Sequence, residues 1–430
     1  MIEVNTKKER AIVVGLAHKH NPLLAEQDSL EELKTLCDSA GAEVLLSILQ
    51  ERFSRDPATY IGKGKAEELK VLCDETDADI IVFDEPLTAT QRYNLEKILT
   101  IKVLDRTQII LDIFAQRARS KEGKLQVELA QLKYTGSRLI GKGTELSRLG
   151  GGIGTRGPGE QKLEADKRRI RKRIQIVNKE LDSIRKYRLQ QRQLRNDNEI
   201  FTFSLVGYTN AGKSTLFNLL TSQYSTASDK LFTTLDPLIR KVLLPHNTHI
   251  LLSDTVGFIH KLPQELLTAF KATLEEVVFS SALIHVIDAS HPQLEAHIES
   301  VNKILEEIHA EDKNRLLVFN KMDLPEAQIK NTLLQKYYPD ALFLSAKDNE
   351  NIDGLRQRLE NIALHSWLLV HIIVPMNAMD MLHYIYEKGL VRTRKNSNDF
   401  IELDILASPQ FMSFLKKDTR LKIDLAANEK

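Results

Sequence analysis

Residues 201–220 read Phe-Thr-Phe-Ser-Leu-Val-Gly-Tyr-Thr-Asn-Ala-Gly-Lys-Ser-Thr-Leu-Phe-Asn-Leu-Leu. The stretch opens as a β-type run and closes as a helical pattern, and between them Gly207 to Ser214 match G-x4-G-K-[ST]. A strand running through such a loop into a helix predicts a phosphate cradle. The glycines let the backbone wrap phosphates with its N–H groups, and the helix N-terminus adds partial positive charge. Lys213 reaches the β and γ oxygens, and Ser214 offers its hydroxyl to Mg²⁺. The candidate contacts are Gly207, Tyr208, Thr209, Asn210, Ala211, Gly212, Lys213, Ser214 and Thr215. An ordinary glycine turn is the competing reading, and the placement between strand and helix weighs against it.

Working outward, further β-type runs begin at His249, Leu283, Arg315 and Ala341, each followed by a loop and a helical pattern. Residues 198–366 therefore read as a doubly wound α/β domain with its ligand at the strand C-termini. Three of those runs end in motifs of their own. Asp254-Thr255-Val256-Gly257 places a carboxylate where it can reach Mg²⁺ through water and a glycine N–H where it can face a γ-phosphate. Asn320-Lys321-Met322-Asp323 selects the base. Guanine presents N1–H and N2–H₂ side by side for one carboxylate, whereas adenine would leave Asp323 unpaired at a cost of ~1–3 kcal/mol. Ser345-Ala346-Lys347 can offer the Ala346 N–H to guanine O6. Between the cradle and Asp254, Phe232-Thr233-Thr234 supplies threonines for the Mg²⁺ shell, Thr234 being preferred. The expected metal set is Ser214, Thr234 and Asp254, and the expected catalytic set is Lys213, Thr234 and Gly257. Phe258 stands where a water-positioning Gln is common, so slow unaided turnover and an accelerating partner are expected. Asn210 is a candidate for helping to hold K⁺, against the plainer reading that it tolerates unusual backbone angles.

At 430 residues the chain exceeds the usual size of one core, and 42% hydrophobic with 28% charged residues is an ordinary globular composition. Sixty Lys plus Arg oppose 59 Asp plus Glu, so any attraction to RNA must be local. Cys37 and Cys73 alone make neither a disulfide framework nor a zinc site. No apolar run approaches the ~20 residues that span a bilayer, and a cytoplasmic location is expected. The fold class is multidomain α/β: a nucleotide-binding domain with an N-terminal α/β domain, a long two-helix arm and a small α/β C-terminal domain. The N-terminal domain (1–115) is placed on strands Ala11–Gly15, Val44–Ile48 and Ile80–Phe83, all read as buried, and on helices Ser29–Cys37 and Lys65–Cys73. After His371 the order strand, helix, strand, strand, helix is expected in 367–430, with Ser408-Pro409 opening the last helix.

Residues 116–197 read as the arm. Leu163, Ile170, Ile174, Val177, Leu181 and Ile184 recur as a coiled-coil seam, and Leu125, Leu129 and Leu132 share a face of the incoming helix. Gly150-Gly-Gly-Ile-Gly-Thr-Arg-Gly-Pro-Gly159 carries six glycines in ten residues and forms the tip. From Glu160 to Asp197 thirteen Lys/Arg face six Asp/Glu. A flexible linker and a solvated helix face are the plain readings. A basic cluster adjoining a bulk-free loop on a lever favours phosphate binding, with Gly151, Gly152, Gly154, Arg156, Gly157, Arg138, Arg148, Arg168, Arg169 and Arg171 as candidates. Tyr134 and Tyr187 are the arm's only candidates for base stacking, so shape recognition of structured RNA is expected.

Tyr60-Ile-Gly-Lys-Gly-Lys65, Asp105-Arg-Thr-Gln-Ile-Ile110, Gln126-Val-Glu-Leu-Ala-Gln-Leu132 and Gly151-Gly-Ile-Gly-Thr-Arg-Gly-Pro-Gly-Glu160, taken with the nucleotide motifs, resemble the bacterial HflX GTPases of the Obg-HflX group. The likeness covers about the first four fifths of the chain, and Gln161 departs from the Thr expected there. The resemblance implies a GTPase that binds the large ribosomal subunit, reaches its arm toward the peptidyl-transferase centre, and splits stalled or idle ribosomes under stress. Ribosome-stimulated hydrolysis would then reset it. It implies rRNA as partner; no DNA partner, no stable membrane insertion and a monomer are expected besides, with peripheral membrane association left open. The rivals are a signalling GTPase whose arm recruits a protein or membrane-associated partner, and an RNA remodeller spending ATP in the N-terminal domain, where no phosphate loop of comparable quality exists.

Overall fold

The computed structural model describes residues 8–18, 23–146, 158–197, 200–221, 232, 238–246, 248–259, 261, 274–365 and 367–425. The N-terminal region alternates β1 (Arg10–His18), α1 (Leu23–Ala40), β2 (Glu43–Arg52), α2 (Lys63–Thr76), β3 (Ile80–Phe83), α3 (Ala89–Leu99), β4 (Lys102–Asp105) and α4 (Arg106–Arg117). Its parallel sheet has the order β2-β1-β3-β4. β1 and β3 are buried runs clad by helices on both faces, as parallel strands require. β2 corrects the sequence reading, since it lies at the edge and its residues are half-buried or exposed. At the junction of β4 and α4, Asp105 caps the helix by accepting from the Gln108 N–H while Gln108 reaches back, a capping box that fixes where Arg106 points.

The arm is α5 (Lys121–Leu146) and α6 (Pro158–Asp197). The two run antiparallel: Glu122, Glu128 and Gly136 of α5 meet Arg188, Arg173 and Ile170 of α6 in reverse order. Leu125, Leu129 and Val177 are buried in the seam, with Leu132, Ile174, Leu181 and Ile184 packed on it. Leu163 lies outside the residues whose side chains are described, and the tip loop 147–157 lies outside the described residues altogether.

The second sheet has the order β10-β9-β8-β5-β7-β6, from β5 (Thr202–Val206), β6 (Leu238–Leu243), β7 (His249–Asp254), β8 (Ala282–Asp288), β9 (Arg315–Asn320) and β10 (Leu342–Phe343). All pairings are parallel except that of edge strand β6, which the sequence reading lacked. α7 (Lys213–Thr221), α8 (274–279 as described), α9 (Leu294–Glu307), α10 (Pro325–Tyr337) and α11 (Ile352–Leu364) cover it. The chain turns to opposite sides of β5 to form β7 and β8, which makes the crevice above β5 the topological switch point where ligands bind.

The C-terminal sheet is antiparallel, β12-β13-β11-β14, from β11 (Leu368–Pro375), β12 (Leu390–Asn396), β13 (Phe400–Ala407) and β14 (Lys422–Leu425). α12 (Asp380–Lys388) and α13 (Pro409–Leu415) bring apolar residues onto the buried face, and Ser408 caps α13 by accepting from the Phe411 N–H. β14 was not read from sequence. Among the described residues no helix is long and apolar enough to cross a membrane.

Candidate nucleotide site

The loop after β5 needs glycine at two places. Gly207 has φ 146° and any Cβ there would stand 2.2 Å from the Val286 carbonyl oxygen, while at Gly212 (φ 93°) it would stand 2.1 Å from Asn320 Nδ2. Asn210 adopts φ 60°, which the plain reading of that residue requires. Lys213, first residue of α7, is buried and donates to the carbonyls of Gly207 (3.0 Å) and Tyr208 (2.6 Å). Burial lowers its pKa to about 8 against the opposing pull of Asp254. Beside it the Ser214 hydroxyl donates to Asp254 Oδ2 at 2.9 Å, so the end of β7 and the start of α7 bring one hydroxyl and one carboxylate together.

The segment after Asp254 is laced to the loop by backbone. Phe258 N–H donates to Gly207 O (3.1 Å) and Thr209 N–H donates to Phe258 O (2.7 Å). That bonding corrects the reading of Thr209, whose amide is taken by Phe258. The Phe258 ring is 2% exposed, packed with Val206, Leu274 and Val277, and offers no group to a water. Thr255 is also turned inward, its hydroxyl donating to Leu205 O at 2.5 Å.

At the base end, Asn320 fastens two loops by donating to Ala211 O (2.8 Å) and accepting from Ala346 N–H (2.9 Å). The Ala346 amide, expected to face guanine O6, is thus engaged by Asn320. Asp323 is half-buried and accepts from the Ser345 hydroxyl at 2.7 Å. Lys321 pairs with Asp288 at 2.6 Å, Met322 is buried, and Lys347 is exposed.

Several named residues face the N-terminal region instead of a ligand. The Phe232 ring stands 4.6 Å from that of Phe114, and Val256 joins Phe232 in the core formed by α1, β1, β3 and α4, because apolar side chains gain by leaving water. The Tyr208 ring stacks on His297 with centroids 3.7 Å apart, and its phenol donates to Glu32 at 2.6 Å. Thr233 and Thr234 lie outside the described residues.

Of the arm candidates, Arg168, Arg169 and Arg171 are exposed on α6. Arg138 corrects the reading. It is turned inward to Asp105 and the Leu87 carbonyl and lies 3.4 Å over the Tyr134 ring, since a buried carboxylate at the N-cap of α4 draws in a counter-charge. Tyr134 is buried and donates to Asp105 at 2.9 Å, so it presents no free face, whereas Tyr187 is exposed. Arg148, Gly151, Gly152, Gly154, Arg156 and Gly157 lie outside the described residues. Sequence reasoning missed Glu32, Asp84, Arg106 and Lys261, which meet beneath the nucleotide loops. The only signal available was the Asp105-Arg106-Thr107-Gln108 capping pattern.

A phosphate loop at a β5 switch point, a D-x-x-G segment laced to it, and an N-K-x-D loop tied to it by Asn320 define a P-loop GTPase. The family described as GTP-binding GTPase N-terminal matches residues 27–115, GTP-binding GTPase Middle Region matches 117–195, and 50S ribosome-binding GTPase matches 202–321. The chain is 46% identical over 391 residues to GTPase HflX of Caldanaerobacter subterraneus subsp. tengcongensis, covering 91% of this chain and 89% of that one. It is 45% identical over 352 residues to GTPase HflX of Escherichia coli K12, covering 82% of each. A GTP-binding protein from the hyperthermophilic archaeon Sulfolobus solfataricus, solved in complex with GDP, aligns over 83% of this chain and 99% of that one with 27% identity and a TM-score of 0.44. The chain belongs to the HflX GTPase family, and it hydrolyses GTP to GDP and phosphate.

Proposed function

We propose that this GTPase associates with the ribosome, binds the large subunit and its rRNA through the arm, and splits stalled or idle ribosomes, with ribosome-stimulated GTP hydrolysis resetting it. One observation carries the reading: two long antiparallel helices, with Arg168, Arg169 and Arg171 exposed, spring from the same N-terminal core that holds Phe232 and Val256 of the nucleotide loops. A basic lever rooted where nucleotide state is felt suits a factor that works on structured RNA. The description 50S ribosome-binding GTPase for the family matching 202–321 supports the same partner.

In this reading the 207–215 loop wraps the triphosphate, Lys213 balances β and γ charge, the Gly257 N–H faces the γ-phosphate, and Asp323 holds the guanine edge. The hydroxyl and carboxylate that meet at Ser214 and Asp254 are the hard oxygen donors Mg²⁺ takes. Ser214 would hold the ion directly and Asp254 through water, with Thr234 completing the set, and the ion supplies charge neutralisation on the phosphates. K⁺ beside Asn210 belongs to the same proposal and would appear as faster turnover in K⁺ than in Na⁺. Phe258 cannot orient water, so the partner accelerates hydrolysis by ordering the loops around Gly257. The protein acts as a cytoplasmic monomer.

Sedimentation through sucrose with a non-hydrolysable GTP analogue is the test. Co-migration with free large subunits, and conversion of 70S particles to subunits, are expected; a protein that stays at the top of the gradient in every nucleotide state would overturn the proposal.

A further inference from the structure

Four charged side chains of alternating sign run in a line beneath the nucleotide loops. Tyr208, in the phosphate loop, donates its phenol proton to Glu32 Oε1 at 2.6 Å. Glu32 is paired with one guanidinium nitrogen of Arg106, and another nitrogen of Arg106 donates to Asp84 Oδ1 at 2.5 Å. Asp84 Oδ2 accepts from Lys261 at 2.8 Å and from the Ser29 hydroxyl at 2.7 Å. Lys261 lies three residues beyond Phe258, with Glu26 and Glu85 each at 3.4 Å as further partners. The middle of the line is dry: Arg106 is 1% and Asp84 2% exposed.

The two ends, Tyr208 and Lys261, belong to the GTPase domain, and the three members between them, Glu32, Arg106 and Asp84, to the N-terminal domain. Tyr208 also gives its carbonyl to the Lys213 ammonium at 2.6 Å, so its position bears directly on the group that meets phosphate. Lys261 adopts φ 56°, in the left-handed region, and its ammonium is paired with Asp84, Glu26 and Glu85. The segment between them contains Gly257 and is laced to the phosphate loop by Phe258. Shifting either end strips a partner from a charge in a poorly solvated place, so the ends move together or not at all.

We propose that Glu32, Arg106 and Asp84 are positioning residues for GTP hydrolysis, tying the phosphate loop at Tyr208 to the Gly257 segment at Lys261 through the N-terminal domain. None of the three touches nucleotide. Their effect is to keep Lys213 and the Gly257 amide in one relative placement, which catalysis by fixed dipoles requires. The inference rests on the assignment of 207–214 to the phosphates.

The experiment is a double-mutant cycle on single-turnover GTP hydrolysis by the full chain. It uses wild type, Tyr208→Phe, Lys261→Met and the double variant, and all four again with Asp84→Asn. Rates are taken per mole of protein that binds a fluorescent GTP analogue, so an unfolded fraction does not count. Each single change is expected to slow hydrolysis about 10-fold, and the double by about the same 10-fold, because one connection is cut twice. With Asp84→Asn the two changes should have no further effect, and Lys261→Arg should stay within about 2-fold of wild type. Rate losses that multiply to about 100-fold, or singles that hydrolyse at or above the wild-type rate, would overturn the connection. Failure of the wild type itself to bind the analogue would instead sink the phosphate-loop assignment.

Discussion

Gly257 approaches Lys213 so closely that a Cβ built on the glycine would stand 3.0 Å from the lysine ammonium. It would also lie 2.8 Å from Thr209 Cγ2 and 3.0 Å from Thr209 Cα, the last a backbone atom that cannot swing aside. Gly257→Ala must therefore push its segment off the phosphate loop. Hydrolysis should fall by at least about 10-fold, or ~1.4 kcal/mol of barrier, in single-turnover assays, while GDP affinity changes by less than about 3-fold. Unchanged hydrolysis would remove the Gly257 amide from the reaction.

Asp323 accepts from Ser345 with one oxygen and is half-buried, which leaves a carboxylate edge for a base. An amide in its place offers one acceptor and one donor, matching the N1–H and C2 carbonyl of xanthine instead of the two donors of guanine. Asp323→Asn should weaken GTP binding by about 10- to 100-fold and strengthen XTP binding, by calorimetry. Equal loss for both nucleotides would show that residue 323 does not read the base.

The Lys213 pKa of about 8 gives nucleotide binding a pH dependence. Below that value the side chain is charged; as pH rises through it the ammonium is lost, and bound phosphates must restore the proton. GTP affinity should decline by up to about 10-fold per unit above pH 8, with proton uptake measured calorimetrically in buffers of different ionisation enthalpy. A flat profile from pH 7 to 9.5 would contradict the assignment.

His285 of β8 is buried at 1% exposure, and burial, with Arg315 and Lys213 nearby, lowers its pKa from 6.5 to about 3. Between pH 6.5 and 3 the unfolded chain binds a proton that the folded chain refuses, so stability falls with pH across that window, by ~1.4 kcal/mol per unit at most. Urea unfolding of the GTPase domain at pH 7 and pH 5 should show this loss in wild type, and a smaller loss in His285→Leu.

Arg168, Arg169 and Arg171 are exposed along α6. If they meet rRNA phosphates, replacing all three by Ala should weaken large-subunit binding most at low salt. The slope of log affinity against log salt should drop by about 2 to 3. An unchanged slope would assign these arginines to solvent alone.

The P-loop, the D-x-x-G segment and Asn320 to Asp323 were legible because their chemistry is local. Backbone amides, a lysine and a helix start within eight residues make a phosphate cradle wherever a strand feeds them, and strands such as Ile80–Phe83 announce themselves by apolar runs. The antiparallel arm was legible for a similar reason, since its seam repeats at helical spacing. Edge strands β6 and β14 escape the sequence reading because half-exposed strands such as LIRKVL and KIDL lack a continuous apolar run, whereas β2 carries one and only its place at the sheet edge leaves it half-exposed. Arg138 reads in sequence as one more cation of the basic arm, but buried Asp105, 33 residues away, holds it inward.

A guanine-nucleotide pocket and a basic helical lever can be read from contiguous stretches of this chain. That Tyr208 meets Glu32, 176 residues away, and Lys261 meets Asp84, 177 residues away, follows from the assembled fold and from no local pattern. With 60 basic and 59 acidic side chains, any of a great many pairings satisfies charge balance. Which one forms depends on which carboxylates the packing of α1, β3 and α4 buries beneath the nucleotide loops, and burial belongs to the whole fold, not to any stretch of it.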